Sequence, residues 1–156
     1  MIRLTKLSDY GIVLLTYFAR AHDKASLTAR DLADASGVPL PTVSKLLKSL
    51  QRGGLLDSHR GVKGGYRLSR AAELISVADI IRAIEGPIAV TECTGAEKEL
   101  CDLELVCPVR SNWHRINKAV SQALGQLTLA EMTSPISRSL ANATTHGLVQ
   151  IRARSM

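Results

Sequence analysis

The stretch that decides the fold is residues 28–68, TARDLADASGVPLPTVSKLLKSLQRGGLLDSHRGVKGGYRL. Thr28 is suited to cap a short helix that ends at Gly37, and Pro41 is suited to the first turn of the next helix, residues 41–52. Residues 55–68 then predict two short strands around a basic, glycine-rich turn. Two short helices joined by a tight turn and followed by such a hairpin predict a winged helix-turn-helix.

Apolar residues at helical spacing predict further helices around this module. One covers residues 5–22, another covers residues 76–85 with Ser76 as its cap, and a long one begins at Pro108. The first of them is predicted to bury one face, formed by Leu7, Tyr10, Gly11, Leu14, Leu15 and Phe18. Thr128 and Glu131 have the spacing of a capping box, which predicts a short final helix. A small winged domain has little surface left to bury the long helix, so we expect it to pair across a homodimer. The expected fold class is mainly α, a winged helix-turn-helix with a long C-terminal dimerisation helix.

Charge is unevenly distributed along the 156 residues, whose formal net charge is +6. Residues 1–70 hold twelve Lys and Arg against five Asp and Glu, whereas residues 71–110 hold three against eight. This distribution predicts that the N-terminal half faces a polyanion. A solvated basic face without a ligand is the alternative. Together with the predicted fold, the charge favours a double-stranded DNA operator as the partner.

The predicted DNA surface has three parts. In a helix-turn-helix the second helix enters the major groove, so its outward side chains meet bases and phosphates. The start of the preceding helix can bind a phosphate, and the arginine of the hairpin tip suits a narrow minor groove. The residues expected to contact DNA are Thr28, Arg30, Pro41, Thr42, Ser44, Lys45, Lys48, Arg60 and Lys63.

Three cysteines lie within fifteen residues, Cys93, Cys101 and Cys107, in the acidic segment ECTGAEKELCDLELVCPVR (92–110). Three sulfur donors in one segment are typical of a cofactor site. A zinc site, redox thiols in which Cys93 and Cys101 form a disulfide, and three structural cysteines are the alternatives. The acidic surroundings do not stabilise a thiolate, which argues against an activated nucleophile.

Several classes of function are not supported. The chain has no paired carboxylates, no Ser/His/Asp order and no phosphate-binding loop between a strand and a helix, so we expect neither an enzyme nor a small-molecule substrate. No apolar run approaches the ~18 residues of a membrane helix. The N-terminus is predicted to be a folded helix and not a signal peptide, and the odd number of cysteines argues against a disulfide framework. We therefore expect a cytoplasmic protein.

Four motifs together resemble the IscR/NsrR family of bacterial iron–sulfur transcription factors. They are MIRLTKLSDYG (1–11), RGVKGGYRL (60–68), ISVADIIRAIEGP (75–87) and the three-cysteine segment. The resemblance covers roughly residues 1–132, and LTKLSDYGIVLLTYFAR (4–20) is most similar to the branch that regulates the SUF system of iron–sulfur assembly. The resemblance implies a homodimer on a pseudo-palindromic operator and a 2Fe–2S or 4Fe–4S cluster.

The resemblance also implies the cluster ligands. It assigns three thiolates, although the first gap between cysteines is seven residues here and often five in the family. IscR-like members use a histidine three residues after the last cysteine, where this chain has Arg110, which cannot ligate. NsrR-like members use an aspartate from the other subunit, and the matching residue is Asp9. His114 and a non-protein ligand are the alternatives. The implied ligands are Cys93, Cys101, Cys107 and Asp9 of the other subunit.

These inferences predict a dimeric transcriptional regulator, a repressor of SUF genes, controlled by an Fe–S cluster. The alternatives are an NsrR-like nitric oxide-sensing repressor and a cluster-free redox or architectural DNA-binding protein. The predicted division is residues 1–87 for the DNA-binding domain, 88–107 for the cluster-binding loop, 108–132 for the dimerisation helix with the final helix, and 133–156 for a flexible tail.

Overall fold

A computed structural model describes residues 4–21, 26–61, 64–95 and 106–133. Its elements are helices α1 (Lys6–Arg20), α2 (Ala29–Ser36) and α3 (Leu40–Arg52), strands β1 (Leu56–His59) and β2 (Gly65–Leu68), and helices α4 (Val77–Glu85), α5 (Arg110–Gln126) and α6 (Leu129–Thr133). This order confirms the mainly helical winged helix-turn-helix. Lys63, Cys101 and the predicted tail from residue 134 onward lie outside the described residues.

Side chains cap three of the helices at the positions that the sequence predicts. Each cap is a reciprocal box, in which a hydroxyl accepts from a backbone N–H and a carboxylate accepts in return, so donors at the helix start are satisfied. The boxes pair Thr28 with Asp31, Ser76 with Asp79 and Thr128 with Glu131. Gly37 ends α2 at a φ of 72°, which a residue with a Cβ rarely adopts.

Helix α1 lies at the centre of the hydrophobic core, because it contacts α2, α3, α4 and α6. Leu14 and Leu15 are fully buried on it. Ser8 and Ile12 are buried too, although the sequence prediction of a single apolar face omitted them. Four neighbouring helices cover a wider sector of α1 than one amphipathic stripe, so the buried face of α1 is wider than the predicted one.

The β1–β2 hairpin forms the wing and packs against α3. Strands β1 and β2 are antiparallel, with Leu56 opposite Leu68. An isolated bridge joins Leu27 to Tyr66 and attaches the hairpin to the chain that precedes α2. Gly65 has a φ of 155°, and a Cβ there would lie 2.9 Å from the carbonyl oxygen of Leu27. A side chain at position 65 would therefore clash with that segment, and only glycine lets the wing lie so close to it.

The end of the long helix α5 is anchored to the start of α4. The N–H of Val77 donates to the carbonyl of Leu127, and the N–H of Leu129 donates to the carbonyl of Ile75, both at 2.8 Å. Leu129 is fully buried in the core. None of the described residues of α5 is itself buried, and Ile116 is 42% exposed. The single chain thus fixes the end of α5 and leaves apolar surface along it uncovered.

Candidate nucleic-acid interface and cysteine site

The outward face of α3 presents cations and short polar side chains. Pro41, Lys45 and Lys48 are exposed at spacings of four and three residues, so they share one face of the helix. Thr42 and Ser44 are half-buried beside them. The opposite face is held in the core by Val43, Leu46, Leu47 and Leu50, as predicted. The burial of that inner face fixes which side chains α3 offers to a partner.

Two further interactions shape this surface, and the sequence did not indicate them. The amide of Gln51 donates to the hydroxyl of Ser58 at 2.8 Å, which ties α3 to β1 and sets the wing relative to the helix. The guanidinium of Arg52 donates to the carbonyl of Lys48 and to the hydroxyl of Ser49. Arg52 is thereby held against the C-terminal end of α3.

At the start of α2, the two residues predicted to contact DNA, Thr28 and Arg30, have different surroundings. The hydroxyl of Thr28 donates to the carboxylate of Asp31 at 2.7 Å and accepts from its N–H at 3.2 Å. Hydrogen bonds from the hydroxyl and then from the N–H of Thr28 hold the pKa of Asp31 below its ordinary value. The helix start therefore already carries a negative charge. Arg30 is exposed there and is the cation at this end of α2.

The wing adds a third basic group. Arg60 is exposed directly after β1 and is followed by Gly61 at a φ of 118°. Arg67 is also exposed, on β2 opposite Asp57. Cations therefore lie at the start of α2, along α3 and on the hairpin, the three elements that a winged helix-turn-helix presents to a duplex.

The two cysteines that the structure describes both lie in the segment between α4 and α5. Cys93 lies in a single turn of 3-10 helix, Glu92–Thr94, and Cys107 lies three residues before α5. Both are half-buried free thiols. Soft, reduced sulfur donors are the ligands that Fe–S clusters take. The donor chemistry of these two residues thus fits such a cluster.

Helix α5 holds the chain that leads to Cys93. The side-chain amide of Asn117 donates to the carbonyl of Ile88 and accepts from the N–H of Val90, both at 3.0 Å. The hydroxyl of Thr91 lies 3.3 Å from the sulfur of Cys93. No sequence pattern indicated this role of Asn117, because a polar residue on a helix is usually solvated.

The predicted fourth ligands lie on two different helices. Asp9 is exposed in the first turn of α1, and His114 is exposed on α5. Arg110 is the first residue of α5. Within residues 4–21, 26–61, 64–95 and 106–133, no three His, Cys, Asp or Glu side chains come together as a metal site. Neither Asp9 nor His114 joins the two described cysteines in one.

A carboxylate connects the start of α1 to the end of α4. Glu85 accepts hydrogen bonds from the hydroxyls of Thr5, at 2.7 Å, and of Ser8, on the same oxygen. Ser8 is fully buried and immediately precedes Asp9. The helix that bears Asp9 and the helix that leads toward Cys93 are therefore joined by direct side-chain bonds.

A helix pair that exposes lysines on its second member, followed by a hairpin bearing an exposed arginine, defines a winged helix-turn-helix DNA-binding protein. A family model described as Rrf2, iron-dependent transcriptional regulator, matches residues 4–135. The chain belongs to the Rrf2 family of transcriptional regulators, which confirms the resemblance to IscR and NsrR.

Individual relatives agree with this assignment. The HTH-type transcriptional regulator NsrR of Bacillus licheniformis is 31% identical over 134 residues, which cover 84% of this chain and 92% of that protein. The structure of CymR, the global cysteine regulator of B. subtilis, is similar with a TM-score of 0.66 and 28% identity, covering 85% of this chain and 97% of that one. The structure of T. potens IscR has a TM-score of 0.63 and 25% identity, covering 96% and 93%.

The chain is therefore a DNA-binding transcriptional regulator. Membership of a family of regulators confirms the prediction that it is not an enzyme. Among the helices of the described residues, none is both long enough and apolar enough to span a membrane.

Proposed function

We propose that this protein is a homodimeric, cytoplasmic repressor whose affinity for its DNA operator is controlled by an Fe–S cluster. The observation that carries the proposal is the pair of half-buried free thiols, Cys93 and Cys107, beside α5 in a member of an iron-dependent regulator family. The proposed targets are the SUF genes of iron–sulfur assembly, because residues 4–20 resemble that branch of the family.

The proposed DNA contacts follow from exposure and charge. Lys45 and Lys48 on the outer face of α3 neutralise phosphates or reach guanine, and Thr42 and Ser44 lie where a recognition helix comes nearest to the bases. Arg60 belongs to the wing. The complete proposed surface consists of these residues together with Thr28, Arg30, Pro41 and Lys63. Two copies in a dimer would read two half-sites about one helical turn apart.

The proposed dimer interface is the apolar face of α5. Ile116 is 42% exposed and Leu127 is 45% exposed, while Trp113, Val120 and Leu124 are half-buried and continue the same helical spacing. Complete burial of a fully exposed large apolar side chain is worth about 1.5–3 kcal/mol, so covering the part of Ile116 or Leu127 that is still exposed contributes roughly 1 kcal/mol each. A second copy of α5 supplies the matching face, since a two-fold dimer pairs the same surface with itself.

The proposed cluster ligands are Cys93, Cys101, Cys107 and, across the dimer, Asp9 of the partner subunit. An exposed aspartate in the first turn of α1 is free to project from its own subunit. Arg110 occupies the position of the IscR histidine and has no lone pair to offer. When bound, the cluster supplies redox and oxygen reactivity, and a fourth oxygen ligand makes such a site more labile. Within one subunit, the contacts of Glu85 with Thr5 and Ser8 join α1, which bears Asp9, to the end of α4, which precedes Cys93 in the chain.

A nitric oxide-sensing repressor is the second candidate. It shares the fold and the ligands, and the 31% identity to NsrR favours it. The two candidates differ in the signal that disassembles the site. Exposure of the loaded protein to oxygen or to nitric oxide, each followed by a DNA-binding measurement, distinguishes them.

The experiment for the proposed function is anaerobic purification followed by DNA binding to the region upstream of the SUF genes. We expect a coloured protein with visible absorption, and an affinity that changes when the cluster is removed. Cys93→Ser should abolish the colour, whereas the control Ser121→Ala on α5 should retain it. A colourless protein that carries stoichiometric zinc would refute cluster control, and equal affinity with and without the cluster would refute the switch.

A further inference from the structure

The turn that contains Cys93 is fixed by hydrogen bonds within it. The N–H of Thr91 donates to the hydroxyl oxygen of Thr94 at 3.2 Å, and the hydroxyl of Thr94 donates to the carbonyl of Thr91 at 2.8 Å. The single hydroxyl hydrogen of Thr94 is therefore already used. The hydroxyl hydrogen of Thr91 is not used by either of these two bonds, so its acceptor has to be identified separately.

Two acceptors lie near the hydroxyl of Thr91. The hydroxyl oxygen of Thr94 is 3.4 Å away, and the sulfur of Cys93 is 3.3 Å away. Hydrogen bonds between two hydroxyls usually measure about 2.7–2.8 Å, so 3.4 Å is long for one. Sulfur is a larger atom, and 3.3 Å brings a hydroxyl into close contact with it. A ligating thiolate carries no proton and can only accept, so the hydroxyl of Thr91 is then the donor to Cys93.

Asn117 determines where this donor lies. Its side-chain NH2 donates to the carbonyl of Ile88, and its side-chain oxygen accepts from the N–H of Val90. The residue immediately before Thr91 is therefore tied to the middle of α5. A side chain that makes two such bonds fixes both the position and the direction of the backbone. A displacement of α5 would be transmitted through Val90 to Thr91 and to the sulfur of Cys93.

We propose that Thr91 is a positioning residue that donates a hydrogen bond to the Cys93 thiolate and tunes the reduction potential of the site, with Asn117 holding Thr91 in place. This inference rests on the proposed function, because it takes Cys93 as a cluster ligand. A hydrogen bond to a ligating sulfur stabilises the more negative, reduced state and raises the potential. Its removal lowers the potential without removing a ligand.

The test separates the hydrogen-bond donor from its support by substitutions at two positions, Thr91 and Asn117. Thr91→Val keeps the shape of the side chain and removes the hydroxyl, while Thr91→Ser keeps the hydroxyl. Asn117→Ala releases the backbone, and the matched control Asn112→Ala changes an exposed asparagine on the same helix. Two quantities are measured: the reduction potential of the anaerobically purified dimer, and the hydrogen exchange of the Val90 amide in the cluster-free protein.

We expect Thr91→Val to give a more negative potential with unchanged exchange at Val90, and Thr91→Ser to restore the wild-type potential. Asn117→Ala should accelerate exchange at Val90 and weaken retention of the cluster by about tenfold, the lower end of what loss of a supporting residue costs. Asn112→Ala should behave like the wild type. A loaded protein whose potential is the same with threonine and valine at position 91 would overturn this inference alone. A wild-type protein that binds no cluster would instead overturn the proposed function.

Discussion

Substitution of Lys48 by alanine tests the proposed DNA surface most sharply. Lys48 is exposed on the face of α3 that also presents Pro41 and Lys45, and the inner face of the helix is locked in the core. Arg52, one turn further on, is bonded back to the carbonyl of Lys48. Lys48→Ala therefore removes one cation from the recognition helix without altering the fold.

The magnitude follows from counterion release. Each phosphate that a protein neutralises contributes about −0.9 to the slope of the logarithm of the binding constant against the logarithm of salt. A dimer loses two contacts, so the slope should become shallower by about 1.8. Over the fourfold range from about 50 to 200 mM salt, the affinity ratio of wild type to variant should fall by roughly twelvefold.

The assay is fluorescence anisotropy with a labelled operator and with an unrelated duplex at several salt concentrations. A phosphate contact is not sequence-specific, so Lys48→Ala should weaken both complexes alike and shift both slopes. Lys118→Ala, an exposed lysine on α5, is the matched control and should leave the slopes unchanged. Parallel salt dependences for wild type and Lys48→Ala would refute the contact and leave Lys48 as a solvated side chain.

Three further predictions concern the cluster, the dimer and the fold. Asp9→Ala should leave three thiolate ligands and accelerate loss of the visible absorption in air; an unchanged rate would exclude Asp9 as a ligand. Ile116→Glu should place a charge in the α5 interface and yield a monomer by analytical ultracentrifugation, while Lys118→Glu should remain a dimer; a dimeric Ile116→Glu would refute that interface. Burial raises the pKa of Asp79, but hydrogen bonds from Ser76 and the charge of Arg70 outweigh it and leave the pKa below its ordinary value. Asp79→Asn should therefore cost about 1 kcal/mol or less in urea unfolding at pH 7, discounted for partial exposure; this cost should fade as the pH falls below the ordinary value of 3.8. A difference that persists at low pH would contradict an electrostatic origin.

The local features of the fold were predictable from the sequence because they depend on residues close together in the chain. The caps at Thr28, Ser76 and Thr128 depend on residues three positions apart, and all three predicted caps are confirmed. The inner face of α3 follows from helical periodicity alone. The glycine-rich hairpin likewise depends on local turn chemistry.

The remaining features depend on residues that are distant in sequence. The bridge between Ser76 and Thr128 joins segments 52 positions apart, and no local pattern reports such pairing. The amide of Asn117 and the carboxylate of Glu85 act through partners 27 to 80 positions away. The division into domains stays a prediction. So do the DNA contacts and the cluster ligands, because the sequence of one chain indicates these partners only through its basic residues and its cysteines.

Native mass spectrometry of anaerobically purified protein tests the central claim most directly, because it reports the oligomeric state and the bound metal together. The account predicts a dimer whose excess mass equals two Fe–S clusters, and it predicts that mild oxidation removes this excess and changes the affinity of the same sample for operator DNA. A dimer of bare polypeptide, a zinc-loaded protein or a monomer would contradict it.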